Sequence, residues 1–133
     1  MKRILAEARR ESLREALPRD LSQWVAKTQL VEWIEAEIES FNWADPELVE
    51  LMRQNPGFRP KTMLRLLTFG YATGATDPER IAQACRLDET FQGLCDGQAP
   101  DAEELASFQR KNRDLLKPML QELMKQVVKK RFD

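Results

Sequence analysis

"RPKTMLRLLTFGYATG", residues 59–74, decides how the chain folds. Met63, Leu64, Leu66, Leu67, Phe69 and Tyr71 leave Arg65 and a few threonines as the only interruptions. The run has the length of one helix and is apolar on nearly every side, so it must be covered on nearly every side. It predicts a central helix from Pro60 to about Ala72, with Leu64, Leu67, Phe69 and Tyr71 in the middle of the molecule. Gly74 fits a left-handed stop just past its end.

Helical periods continue in both directions, and no segment alternates apolar and polar residues as a strand would. Upstream, residues 2–16 place Ile4, Leu5, Ala8, Ser12, Leu13 and Ala16 on one stripe. Residues 20–41 predict one amphipathic helix on Leu21, Trp24, Val25, Thr28, Val31, Ile34, Ile38 and Phe41. Its other face holds Glu32, Glu35, Glu37 and Glu39. Asp45-Pro46 opens a short helix that "NPG" at 55–57 closes. Downstream, Thr76 or Asp77 caps a helix begun by Pro78. Asp88 caps the next, which Gly97 closes, and Asp101 caps a third. From Leu105 the apolar stripe runs to the C-terminus, and Pro118 inside it predicts a kink or split near Leu116. The fold class is all-α: a compact bundle of seven or eight short-to-medium helices around a central apolar helix. Residues 80–94, "RIAQACRLDETFQGL", have the rhythm of a helix-turn-helix.

A chain of 133 residues is near the modal size of one domain, and residues 1–133 are read as one. No apolar run reaches the length of a membrane span. The N-terminus is basic but has no uncharged apolar core, so it is not a secretory signal. Glu7, Glu11 and Glu15 argue against a transit peptide, and a cytoplasmic chain is expected. Cys85 and Cys95, with no histidine anywhere, do not make a zinc site; they read as small buried residues. Without histidine the Ser-His-Asp and Cys-His arrangements are excluded. "GYATG" and "GLCDG" lack the spacing of a phosphate loop. The residues therefore imply no catalysis, no metal, no cofactor and no small-molecule substrate.

Net charge is −1, but it is segregated. Residues 21–52 carry −6, residues 53–86 +4, residues 87–104 −6 and residues 105–133 +5. Arg110, Arg113 and Lys117 are three and four apart, the spacing of one helical face, and Lys129, Lys130 and Arg131 crowd the last turns. Such cations serve either as phosphate contacts or simply as favourable charges at a helix C-terminus. The second helix of the helix-turn-helix-like segment holds Asp88, Glu89 and Asp96 with no Arg or Lys, and Gln92 alone is not enough to read bases. The helix capped by Asp101, with Gln109, Arg110, Lys111, Asn112 and Arg113, is the better DNA-contacting element.

The ordered set Arg59-Pro60, Leu66-Leu67-Thr68-Phe69-Gly70-Tyr71, Gly74, Arg80-Ile81, Asp88 with Phe91, Gly97 with Pro100-Asp101, and Phe108-Gln109-Arg110 resembles the N-terminal domain of bacterial insertion-sequence transposases of the DDE class. The resemblance runs over roughly residues 20–127 and is strongest over 57–124. Three positions depart from the family pattern. Asp77-Pro78 replaces serines, Glu104 replaces a threonine, and Gln109-Arg110 replaces a pair of arginines.

The resemblance implies a domain that recognises element ends and helps assemble the transposase. The ribonuclease-H-like domain with its three metal-binding carboxylates has no counterpart here, so the expectation is a non-catalytic, truncated or domesticated relative. The DNA-contacting residues would be Arg59, Lys61, Gln109, Arg110, Lys111, Asn112, Arg113, Lys117, Lys129, Lys130 and Arg131. The near-neutral total predicts weak non-specific binding to DNA, and nucleoid association would follow from it. The partners implied are DNA and either a second copy or a separate catalytic subunit. The alternative is a helical interaction module without DNA binding, in which the opposed charge blocks pair between two copies and Trp24, Trp33 and Trp43 anchor the interface.

Overall fold

The computed structural model describes residues 19–54 and 60–132. These are all-helical, with no strand among the described residues. A 3₁₀ turn, Leu21–Gln23, precedes α1 (Lys27–Ser40), α2 (Pro46–Gln54), α3 (Pro60–Ala72), α4 (Pro78–Leu87), α5 (Glu89–Leu94), α6 (Ala102–Lys111) and α7 (Arg113–Phe132). The stripe read over residues 2–16, the "NPG" stop and Arg59 lie outside the described residues.

The apolar run is the hub that its composition requires. α3 packs against α1, α4, α5, α6 and α7. Leu64, Leu66, Leu67 and Thr68 are fully buried, and Phe69 meets Phe91 of α5 edge-on at 5.2 Å between ring centroids. Tyr71 departs from expectation: it is half-buried at the rim, where its phenol can reach water. The buried Thr68 hydroxyl has a thioether for an acceptor, Met119 Sδ at 3.8 Å, and so joins α3 to α7. α1 runs antiparallel to α3, since Glu39 meets Lys61 and Glu35 meets Arg65.

α3 ends in a Schellman motif. The Ala75 N–H donates to Gly70 O at 2.7 Å and the Gly74 N–H to Tyr71 O at 3.3 Å, with Gly74 at φ 88°. α5 closes in the same way, but Asp96, at φ 52°, takes the left-handed position and Gly97, at φ 77°, follows it. Three predicted caps are in place. Asp77 accepts from Glu79 N, Asp88 from Thr90 N and Phe91 N, and Asp101 from Glu104 N. Much of the acidity of residues 87–104 is thus helix-start chemistry.

Two helix limits differ from expectation. The predicted helix over 20–41 is two pieces: Asp20 caps the 3₁₀ turn and Ala26, extended at ψ 145°, starts α1 afresh. The break resets the phase of the stripe. Leu30, Ile34 and Ile38 are buried, while Thr28 is exposed. The second concerns Pro118, which does not split its helix. The interruption is at Asn112, six residues earlier, and Pro118 falls in the second turn of α7. There it removes a single rung of the ladder, the bond that Asp114 O would have accepted, and the helix continues past it.

Cys85 and Cys95 are buried and free, as read from the sequence. Burial foremost, and then Cys95 beside it, push the Cys85 thiol up to about 12. At neutral pH it is therefore an inert core group.

Candidate nucleic-acid interface

The α6–α7 junction is built on Asn112. Its backbone N–H and its side-chain Nδ2 both donate to Phe108 O at 3.0 Å, closing α6. Its carbonyl accepts from Leu115 N and Leu116 N, opening α7. One residue, at φ −127° and ψ 31°, ends one helix and begins the next. Arg110 and Lys111 therefore belong to the last turn of α6, and Arg113 and Lys117 to the first turns of α7. The single helical face expected for Arg110, Arg113 and Lys117 is replaced by a bend with cations on both arms.

All four cations are exposed, and no carboxylate lies in ion-pair range of any of them among the described residues. Gln109 is half-buried beside them. Tyr71, at the rim of α3, is near enough to sense Arg113. Burial raises its phenol above the ordinary value, and the Arg113 charge partly opposes that.

The remaining sequence-predicted cations are elsewhere, and most have intramolecular partners. Lys61 Nζ lies 3.7 Å from Glu39 Oε1 and 4.8 Å from the centre of the Trp43 ring. Lys130 Nζ donates to Gln29 Oε1 at 3.0 Å and lies 5.9 Å from the Trp33 ring centre. The Arg131 guanidinium is 5.4 Å from the Trp24 ring centre. Lys129 is exposed. The three tryptophans are neither core nor bare anchors. Each is half-buried with a cation over its face, and Trp43 Nε1 also donates to Ile38 O. No spacing in the sequence predicts such contacts, because each joins residues far apart in the chain that tertiary packing brings together.

Among the described residues, no group of three or more Cys, Asp or Glu side chains could hold a metal ion. No described helix is long and apolar enough to cross a membrane.

A family model described as a transposase domain (DUF772) matches residues 13–111. The match ends at the last residue of α6. It includes the central helix, the capped helices α4–α6 and two of the four junction cations, Arg110 and Lys111. Neither the curated proteins nor the solved structures give a match.

Proposed function

The chain belongs to the transposase-domain family DUF772, and from that premise we propose that it is a non-catalytic DNA-binding domain that grips the duplex at the α6–α7 bend. One observation carries the reading: Arg110, Lys111, Arg113 and Lys117 are exposed and free of ion pairs among the described residues, whereas Lys61, Arg65, Lys130 and Arg131 have intramolecular partners.

Phosphate contacts from the four cations supply the affinity. Each one displaces counterions, so binding falls steeply with salt. Sequence preference, where present, comes from a side chain reaching base edges. Asn112 is poorly suited to that task, because its amide nitrogen already donates to Phe108 O. Gln109 or an arginine is the better reader. The acidic face of α1 and the net charge of −1 oppose a polyanion elsewhere on the surface, which keeps non-specific affinity low.

The test is a titration against random duplex libraries at two salt concentrations. Wild type binds at low salt and releases at high salt, and Arg110→Glu with Arg113→Glu abolishes binding without unfolding the chain. Undiminished binding by that double variant removes the bend as the contact surface. Metal-dependent nicking by the pure protein, lost on one Asp or Glu substitution, would overturn the non-catalytic part.

A further inference from the structure

α2 carries two apolar stripes but buries one. Leu48 and Leu51 face the core, while Val49 and Met52 stand 51% and 43% exposed. The exposed pair belongs to an ordered row. Val49, Met52 and Arg53 share one face of α2, and Asp45, the residue just before the helix, falls four ahead of Val49 with one carboxylate oxygen accepting from Glu47 N, so an acid stands near the first end and a base at the last.

That row is complementary to itself. When two copies of α2 are laid antiparallel about a two-fold axis through Val49, residue 53 falls opposite residue 45 and residue 52 opposite residue 46. Val49 then meets its own counterpart, Met52 covers Pro46, and Arg53 meets Asp45 twice, once on each side of the axis. The opposed helix dipoles add to the match. Arg53 is held at 2.8 Å by Glu50 within the chain, but both side chains are exposed, so this pair costs little to exchange.

We propose that α2 is a homodimer interface, with a second copy of this chain as its occupant and the two-fold axis at Val49. A pair of nine-residue helices buries less than a stable dimer needs, so the association is weak and concentration-dependent. It does not depend on the DNA-binding reading, because its residues and its readout are separate.

Sedimentation equilibrium on the full chain tests it. The weight-average mass should climb from 15.5 kDa towards twice that value as concentration rises, over a range of about 5–500 µM. Val49→Arg and Val49→Glu each place like charges at the axis and should each leave a monomer across that range. Mixed in equal parts they should associate again, at least tenfold more tightly than either alone, since arginine then faces glutamate. Residue 49 is at the surface, so both variants retain the wild-type circular dichroism. A wild type that stays monomeric overturns the proposal. Dimers that persist in Val49→Arg overturn it by placing the contact elsewhere, and two monomeric variants that fail to associate on mixing overturn the placement of the axis.

Discussion

Arg65 Nε lies 2.8 Å from Glu35 Oε1. The N–H is not aligned on that oxygen, so the contact is one of charges rather than a hydrogen bond. It is the charge in the body of the central helix, and its side chain is only 18% exposed. α1 supplies the carboxylate that makes a cation tolerable there, because a charge left unpaired in a buried setting is costly. Glu35→Ala should therefore destabilise the fold by about 1–2 kcal/mol, and Arg65→Met, which removes the charge but keeps the stem, by less. Urea denaturation of both variants checks the order. A larger loss for Arg65→Met would mean that the pair itself, rather than the unpaired cation, dominates.

Gly70 and Gly93 make opposite predictions. A Cβ at Gly70 would sit 2.8 Å from Ile81 Cδ1 and 2.9 Å from Ala75 O, the second a backbone atom that cannot step aside. Gly70→Ala should cost about 1–3 kcal/mol. At Gly93 nothing lies within 4 Å of the added carbon. Gly93→Ala should gain up to about 1 kcal/mol through helix propensity. Thermal melts of the two variants should move in opposite directions.

Glu104 gives a pH dependence. Its Oε2 is buried without a hydrogen-bond partner, and burial, then the neighbouring Asp101 carboxylate, hold its pKa above the ordinary value of 4.5. A carboxyl whose folded pKa is raised favours the folded state when protonated and penalises it when ionised. Glu104→Gln should melt higher than wild type at neutral pH. The difference should shrink as pH falls through the raised value and vanish below 4.5. A constant difference across that range would assign the gain to packing instead.

The tail cations and the junction cations should separate under salt. Replacing Lys130 and Arg131 with Gln removes their contacts with Trp33 and Trp24, and intrinsic tryptophan fluorescence should report it. If DNA is held only at the bend, log K against log salt keeps a slope of about −3 to −4, the value for four phosphate contacts. A slope that falls by about one for each tail residue removed would place the tail on the duplex.

Most of the architecture was legible because it rests on local signals. Pro60, Pro78, Asp88 and Asp101 mark helix starts through chemistry confined to one turn, and the composition of residues 60–72 demands a central place. The errors arose where two local signals competed. Pro118 reads as a breaker, yet Asn112 is the breaker, because its side chain can satisfy a carbonyl that a proline cannot. Thr28 fits a stripe drawn through Trp24 and Val25, yet the stripe restarts at Lys27. The candidate interface was legible only as a set of cations. Which of them remain free depends on Trp24, Trp33, Trp43 and Glu39, partners that tertiary packing supplies.

The order in which the helices are synthesised has its own consequence. α1 leaves the ribosome before the faces that cover Leu30, Ile34 and Ile38, which belong to α3 and α7, and α7 is the last of these described helices to emerge. Until residues 113–132 have emerged, the nascent chain carries an apolar α1 and an incompletely wrapped α3. Such surfaces are what holding chaperones bind, and a translational pause before α7 would prolong their exposure. A chain interrupted near Asn112 should accordingly be recovered in chaperone-bound or aggregated form rather than as a smaller soluble bundle.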